Sequence, residues 1–393
     1  MSQKGSVLGG ILLITGCCIG AGMLGMPVIT ATAGVIPTTV AMLICCLFMN
    51  VTGLLLLEAV LWFKNRVNLI TLSNYALGSV GQVITWISFV FLFYCLCVAY
   101  TIGCGDILGP FLGGAFIGRL AALTAIGILI YIGTRTVDHL NRILMVGLIF
   151  TYCLLVISGA GFVQSNNLVF QQWPAIFASI PLLLISFGYQ NLIPSLAEYL
   201  QHNVKKITLT ILGGTLLTFL FYLVWEIIIL GILPFENAES VQAVMNKGEI
   251  VTDMLQNVTG IPYILPLTQS FALFAIMTSL LANSLTCLEF LQDGLRRYVT
   301  SPNRFLLVFL VLLPPLIIAQ SDPHLFLKAL SIAGGTATVI LFGIFPALIV
   351  WYGRYRDNKP GAIVPGGKPV LILVIAFSLT ILTLETARLL FQS

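Results

Sequence analysis

Charged side chains are scarce in this chain. Aspartate, glutamate, lysine and arginine make up 8% of its 393 residues, whereas a soluble domain has roughly a quarter. This shortage excludes a water-soluble globular protein, because the chain has too few charges to cover its surface. Hydrophobic residues make up 59% of the sequence, which predicts a polytopic membrane protein embedded in the lipid bilayer.

Residues that carry enzymatic chemistry are also few. The three histidines, His139, His202 and His324, fall at the ends of apolar segments, which argues against an intramembrane enzyme with a nucleophile and base at depth. The nine cysteines form no CxxC pair, which favours packing roles over metal or redox roles. A nucleotide-binding loop is absent as well. We therefore expect no catalytic activity, cofactor, metal or nucleic-acid partner.

Long apolar windows are the main feature that is present. Eleven of them are long enough to cross the hydrocarbon core as helices, and the short alternating segments of a strand barrel are absent, so the predicted fold is all-α. The windows fall at about 7–35, 37–62, 82–109, 117–134, 139–162, 175–200, 207–234, 263–290, 304–320, 325–353 and 369–391.

Lysine and arginine predict the orientation. With the N-terminus in the cytoplasm, 14 basic residues fall in inner loops, and only Arg119, Lys247, Lys328 and Arg388 fall outside. This bias agrees with the positive-inside rule, and an odd number of spans places the C-terminus outside. The outer loop at 236–262 is predicted to hold an amphipathic helix, and the inner connection at 63–80 a short interfacial helix.

Two spans carry interruptions. The first contains TGCCIGAGMLGMP (15–27) and the sixth contains SFGYQNLIP (186–194). Opened backbone is tolerated in lipid only where it lines a cavity or contacts a ligand, although close packing of small residues is the alternative for the first span alone. Matched breaks five spans apart indicate an inverted-repeat transporter whose binding site lies between them.

These residues resemble the hydroxy and aromatic amino acid permeases, whose described members include tyrosine- and tryptophan-specific permeases of bacteria, in the amino acid–polyamine–organocation superfamily. GGILLITGCCIGAGMLGMP and SFGYQNLIPSL carry the likeness, which extends to TRTVDHLNR (134–142) and FPALIVWYGRY (345–355). The resemblance implies one transmembrane domain with the leucine-transporter fold. It comprises two inverted five-helix repeats (7–162 and 175–353), an eleventh helix (369–391), and helices 1 and 6 unwound mid-membrane. It also implies proton-coupled uptake across the bacterial inner membrane.

The substrate site is predicted at the two breaks. The amides of Gly20, Ala21 and Gly22 are expected to bind a carboxylate, because a helix N-terminus carries roughly half a positive charge. Carbonyls at the preceding helix ends are expected to face the ammonium, and nearby side chains to contact the substrate side chain. The carbonyl candidates are Thr15, Gly16, Ser186 and Phe187; the side-chain candidates are Phe187, Tyr189, Gln190, Asn191, Tyr94 and Tyr100.

Coupling requires a titratable group or an ion site within the membrane. Intramembrane carboxylates are costly and point to function; Glu226 is the deepest candidate, and Glu58 and Glu289 lie near inner helix ends, within reach of Lys64 and Arg296. Family members carry histidine where this chain has Gln190, which argues against a proton role for that residue.

The sequence therefore predicts an importer of an aromatic amino acid, tyrosine before tryptophan, by proton symport with alternating access. Thr278 and Ser279 offer oxygens for a sodium ion facing the first span, so sodium symport is one alternative. An amino acid sensor on the same fold is the other.

Overall fold

The computed structural model describes residues 5–63, 67–232, 260, 262–295, 303–322 and 325–391. Within these ranges the regular structure is helical, without strands. Of the outer loop predicted to hold an amphipathic helix, only residues 260 and 262 are described, so this prediction lies outside the described residues. Seven residues named in the sequence analysis also lie outside the described residues: Lys4, Lys64, Arg66, Lys247, Arg296, Arg297 and His324.

Ten of the described helices are long and apolar enough to cross a membrane, and a bent pair makes the eleventh span. The predicted all-α fold with eleven spans is therefore confirmed. The first five spans comprise α1 (Val7–Cys18) with α2 (Ala21–Thr30), α3 (Val35–Leu61), α4 (Leu69–Leu112), α5 (Ala115–Ile132) and α6 (Thr134–Gly159).

The sixth span follows the short helix α7 (Ser165–Val169) and contains α8 (Ile180–Ser186) and α9 (Ile193–Tyr199). The seventh to ninth spans are α10 (Val204–Ile232), α11 (Ile264–Leu295) and α12 (Arg304–Ser321). The tenth joins α13 (Leu325–Ile332), a π-helix (Ala333–Ile344) and α14 (Phe345–Tyr355), and the eleventh is α15 (Gly367–Phe391).

The first span is broken, as predicted, but the opening is narrower than the glycine content indicates. Ile19 and Gly20 alone leave the helical conformation, and the two halves meet at a bend of 56°. Pro27 stays within α2 although it lacks an amide hydrogen and frees the carbonyl of Met23. The indole Nε1 of Trp225 donates to that carbonyl at 3.0 Å, so a side chain from α10 replaces the missing bond.

The sixth span is interrupted between α8 and α9. Phe187 and Tyr189 have non-helical dihedral angles, and a single 3-10 turn over Gln190–Leu192 leads into α9. Pro194 occupies the first turn of α9, where the absent amide hydrogen costs nothing. The prediction that helices 1 and 6 are unwound is confirmed.

The inner connection holds the predicted short helix as the first part of α4. Asn68 caps it by accepting from the amide of Thr71 at 2.9 Å. At Gly78 the backbone adopts φ 67° and ψ −158°, a conformation that favours glycine. The segment before Gly78 is thereby separated from the third span proper.

Candidate functional site

A cavity of about 770 Å³ lies where the two broken spans meet. Gly20, Ala21 and Gly22 line it from the first break, and Ser186 and Asn191 from the sixth. Its volume is in the range of pockets that hold one small molecule. The other walls come from α4, α6, α11 and the tenth span, and include Phe89, Phe93, Tyr100, Asn141, Met145, Thr278, Ser279, Asn283 and Phe342.

The cavity opens toward the face that carries the N-terminal ends of α1 and α6. Gly9 of α1 and the pair Asp138 and Arg142 of α6 line its mouth. On the other side of the break, every residue of α2 from Met23 to Thr30 is buried. In this structure the site is therefore reached from one face, which the lysine and arginine distribution predicts to be the cytoplasmic one.

Glycine is required at the first break because the backbone touches its neighbours directly. A Cβ on Gly22 would lie 2.5 Å from Oγ of Ser186, and one on Gly20 would lie 2.3 Å from Oγ of Ser279. The amide of Ala21 donates to the same Ser279 oxygen at 3.3 Å. The two breaks and α11 thus form a single contact region at the end of the cavity.

The electrostatic character of the site comes from backbone dipoles. α2 begins at Ala21, and its first-turn amides point toward the cavity end with the partial positive charge of a helix N-terminus. Among the described residues that line the cavity, only Asp138 and Arg142 are charged, and they pair with each other at 2.8 Å at the exposed mouth. Such a site suits a zwitterion, whose two charges need partial charges of opposite sign.

Tyr222 of α10 is a site residue that the sequence analysis does not identify. Its buried hydroxyl lies 2.6 Å from the carbonyl of Cys18 and 2.9 Å from that of Ser186. These carbonyls end α1 and α8, so one side chain joins the C-terminal ends of both first half-helices. No motif marks Tyr222, because its importance depends on two segments distant in sequence.

Several predicted side chains face away from the cavity. The hydroxyl of Tyr189 donates to the carbonyl of Met49 at 3.1 Å, and Nε2 of Gln190 lies 3.3 Å from that carbonyl and 3.2 Å from Oγ1 of Thr52. Both side chains are fully buried against α3. In this structure neither side chain lines the cavity, because groups of α3 pair with their polar atoms. Their contact with the substrate side chain stays a prediction.

Three further residues differ in the same way. The carbonyl of Thr15, the group predicted to face the ammonium, accepts from the amide of Ile19 at 2.9 Å, and its hydroxyl donates to the carbonyl of Gly214 in α10 at 3.1 Å. The ring of Phe187 packs edge-on against Tyr222. Tyr94 turns toward the ninth span and donates to the carbonyl of Leu310 at 2.9 Å. The structure does bring together Gly16, Asn191 and Tyr100, all of which line the cavity.

The carboxylate candidates occupy three different environments. Glu226 is buried in α10, where Oε2 accepts from Oγ1 of Thr30 at 2.8 Å. Its other oxygen, Oε1, has no hydrogen-bond partner among the described residues. It lies beside the C-terminal end of α2, away from the cavity lining, so any effect on the site passes through α2.

Glu58 and Glu289 are not at the break. Glu58 receives hydrogen bonds from Nε and Nη2 of Arg354 at 2.7 and 2.6 Å and from the amide of Ile363 at 2.8 Å. Arg354 thus pairs with Glu58 and links α3 to α14, while the predicted partner Lys64 lies outside the described residues. Glu289 is exposed on α11 and does not line the cavity.

The two residues predicted for a sodium ion lie at the break. Ser279 accepts from Ala21, as described above, and the hydroxyl of Thr278 donates to the carbonyls of Phe274 and Ala275 at 2.9 and 3.0 Å. Both hydroxyl protons can be directed away from the break, which leaves oxygen lone pairs near it.

Comparisons with known proteins agree with this architecture. The chain is 29% identical to a tryptophan-specific transport protein of Pseudomonas aeruginosa (strain UCBPP-PA14), over 96% of this chain and 93% of the relative. It is 28% identical to tyrosine-specific transport system 1 of Haemophilus influenzae, over 97% of this chain and 96% of that protein.

Among solved structures, MhsT in complex with L-phenylalanine superposes with a TM-score of 0.68 at 13% identity, covering 98% of this chain and 99% of that one. This similarity establishes the leucine-transporter fold. Residues 3–385 match the family described as the tryptophan/tyrosine permeases, and the chain belongs to that family.

Proposed function

We propose that this protein imports an aromatic amino acid, tyrosine first and tryptophan next, across the bacterial inner membrane. The main support is the cavity bounded by both helix breaks, in a chain that matches a permease family over almost its whole length. The amides of Gly20 to Gly22 bind the carboxylate in this proposal, and the carbonyls around Gly16 and Ser186 face the ammonium. Phe93, Tyr100 and Phe342 supply aromatic walls for the substrate side chain.

Transport in this proposal is alternating access, with the cavity opening to each face in turn. Residues 7–162 and 175–353 form two inverted halves, with an N-terminus in the cytoplasm and a C-terminus outside. Movement of α2 and α8 relative to the other helices opens the buried side, because these two half-helices flank the breaks.

Proton symport drives accumulation, and Glu226 is the proposed proton site. Glu226 is buried with Thr30 as its hydrogen-bond partner and forms no ion pair among the described residues. Burying a charged carboxylate in this way is costly, and binding a proton removes that cost. Its bond to Thr30 connects the proton to the end of α2, the half-helix whose first turn binds the substrate. One charge moving through 100 mV supplies about 2.3 kcal/mol, which supports roughly fifty-fold accumulation.

The test is tracer uptake into proteoliposomes that hold the purified protein. An inward proton gradient should accumulate labelled tyrosine in sodium-free buffer, and a protonophore should abolish accumulation. Glu226→Gln should retain exchange of labelled for unlabelled tyrosine but lose accumulation. Glu289→Gln, on the exposed face of α11, is the matched control and should accumulate normally.

Three outcomes would contradict the proposal. Unaltered accumulation and pH dependence in Glu226→Gln would remove that residue from coupling. A strict requirement for sodium would show that a sodium gradient drives transport, with the oxygens of Thr278 and Ser279 as the candidate ligands. Binding of tyrosine without any exchange would favour a sensor.

A further inference from the structure

Asn283 of α11 lines the cavity one helical turn from Ser279, and neither the glycine pattern nor the breaks account for it. Its Nδ2 lies 3.0 Å from the carbonyl of Phe93 and 3.1 Å from Sγ of Cys97. Both partners belong to α4. The side chain is therefore held in one orientation by the third span.

This anchoring fixes which end of the amide faces the cavity. The carbonyl of Phe93 only accepts hydrogen bonds, so the atom beside it must be the nitrogen. Only Nδ2 of Asn283 makes hydrogen bonds to other described residues, so Oδ1 is left without a partner among them, and the partly buried side chain borders the cavity. The wall at this point therefore presents a hydrogen-bond acceptor and no donor.

The acceptor lies at a suitable distance from the zwitterion site. Ser279 marks the level of the break through its bond to the Ala21 amide. Four residues of helix rise separate Ser279 from Asn283, about 6 Å along the axis. This span is comparable to the length of a tyrosine or tryptophan side chain, so a substrate bound at the break can bring its polar end to Asn283.

The wall also contains the Tyr100 hydroxyl and, at the mouth beside Asp138 and Arg142, the amide of Asn141, whose Oδ1 has no hydrogen-bond partner among the described residues. Asn283 is the amide acceptor that lies one helical turn from the break. Phe93 and Phe342 are apolar neighbours in the lining, and the hydroxyl of Thr286, one turn further along α11, donates to its own helix at the carbonyl of Ala282. A tyrosine hydroxyl and a tryptophan indole nitrogen both donate one hydrogen bond, whereas a phenylalanine ring donates none.

We propose that Asn283 determines specificity, by accepting a hydrogen bond from the phenol or indole of the substrate and thereby discriminating against phenylalanine. This inference rests on the proposed function, since it assumes that the cavity holds an aromatic amino acid. An acceptor left unpaired in the cavity when phenylalanine binds is the source of the discrimination, because the lost bond is not replaced.

The experiment measures half-inhibition of labelled tyrosine exchange in proteoliposomes by unlabelled tyrosine, tryptophan and phenylalanine. O-methyl-tyrosine and 1-methyl-tryptophan are added as probes that keep the ring but lack the donor. In the unmodified protein, phenylalanine and both methylated probes should inhibit about tenfold more weakly than tyrosine and tryptophan. In Asn283→Leu this preference should collapse to within about twofold.

Ratios of inhibition constants do not depend on how much protein folds, so partial misfolding of Asn283→Leu leaves the result interpretable. Asn283→Ala provides a second variant with the same expectation. Ser284→Ala is the matched control: Ser284 is the next residue, is buried and also contacts Sγ of Cys97 at 3.7 Å, but it does not line the cavity. Its preference should match that of the unmodified protein.

The two proposals fail in different ways. If no aromatic amino acid exchanges or competes in the unmodified protein, the proposed function is wrong. If tyrosine exchange is intact and Asn283→Leu and Asn283→Ala keep the tenfold preference over phenylalanine, the specificity role of Asn283 is wrong while the transport function stands.

Discussion

Close contacts at the first break require glycine at individual positions. The α2 backbone at Gly22 lies too close to Ser186 to admit a side chain. A Cβ added to Gly22 would lie 2.5 Å from Oγ and 3.3 Å from Cβ of Ser186. Gly161, by contrast, has nothing within 4 Å of its Cβ position. Glycine is therefore required at position 22, whereas position 161 has room for a larger side chain.

Gly22→Leu should abolish uptake, reducing it by more than tenfold, because the added side chain pushes the two breaks apart and fills the end of the cavity. Overpacking of this kind costs about 1–3 kcal/mol, which the remaining helix packing can absorb. Uptake and thermal unfolding in detergent are measured together. Gly161→Ala should behave as the unmodified protein, and native affinity in Gly22→Leu would place the site elsewhere.

Whole elements are joined at the site by Tyr222. A hydroxyl carries one proton, yet the oxygen lies within hydrogen-bond distance of the terminal carbonyls of both α1 and α8. The Tyr222 hydroxyl can therefore donate to either carbonyl, and it can change acceptor when the two helix ends move. This arrangement links the first and sixth spans through the seventh.

Tyr222→Phe should leave both carbonyls without this donor and keep the ring packing against Phe187. An unsatisfied buried acceptor costs about 1–3 kcal/mol, so uptake should fall roughly tenfold or more. Initial uptake rates and tyrosine affinity are measured side by side. Tyr152→Phe loses one bond to the carbonyl of Phe221 outside the site and should retain transport; equal losses in both variants would reduce Tyr222 to a packing residue.

Over the whole molecule, the one-sided cavity makes the orientation measurable. Cys17 lines the cavity and is exposed, whereas Cys153 is the other exposed cysteine among the described residues. A charged maleimide that cannot cross the membrane therefore reports which face reaches the site.

In a Cys153→Ser background, we expect Cys17 to be labelled in inside-out vesicles about tenfold faster than in right-side-out vesicles. Saturating tyrosine should slow labelling, because it occupies the same space. Cys17→Ser in the same background should abolish the signal. Faster labelling from the outside would reverse the orientation assigned from the basic residues.

The sequence revealed the breaks but overestimated their extent. Glycine and proline in residues 15–27 mark a weak helix, and only Ile19 and Gly20 open. Pro27 remains helical because Trp225 satisfies the freed carbonyl. Glycine and proline content shows where a helix is weakened. Whether the helix nevertheless forms depends on hydrogen bonds from another span, which the local sequence does not contain.

The sequence did not predict which way the side chains near the breaks point. Tyr189 and Gln190 sit at the break but turn toward α3, where the Met49 carbonyl receives them. Asn283 and Tyr222, in unremarkable apolar segments, turn toward the site. The sequence shows where a residue lies along a helix. Which neighbouring helix its side chain faces depends on the hydrogen-bonding groups that those helices present.

The sequence by itself determined that the chain spans a membrane eleven times with helices, and that the first and sixth are interrupted. These properties follow from the cost of exposing polar backbone to lipid, which acts on each segment separately. Tertiary structure alone decided that the breaks touch, that Tyr222 joins them and that Asn283 lines the cavity with its amide nitrogen held by α4. Those facts arise from hydrogen bonds between distant segments, which only packing brings within reach.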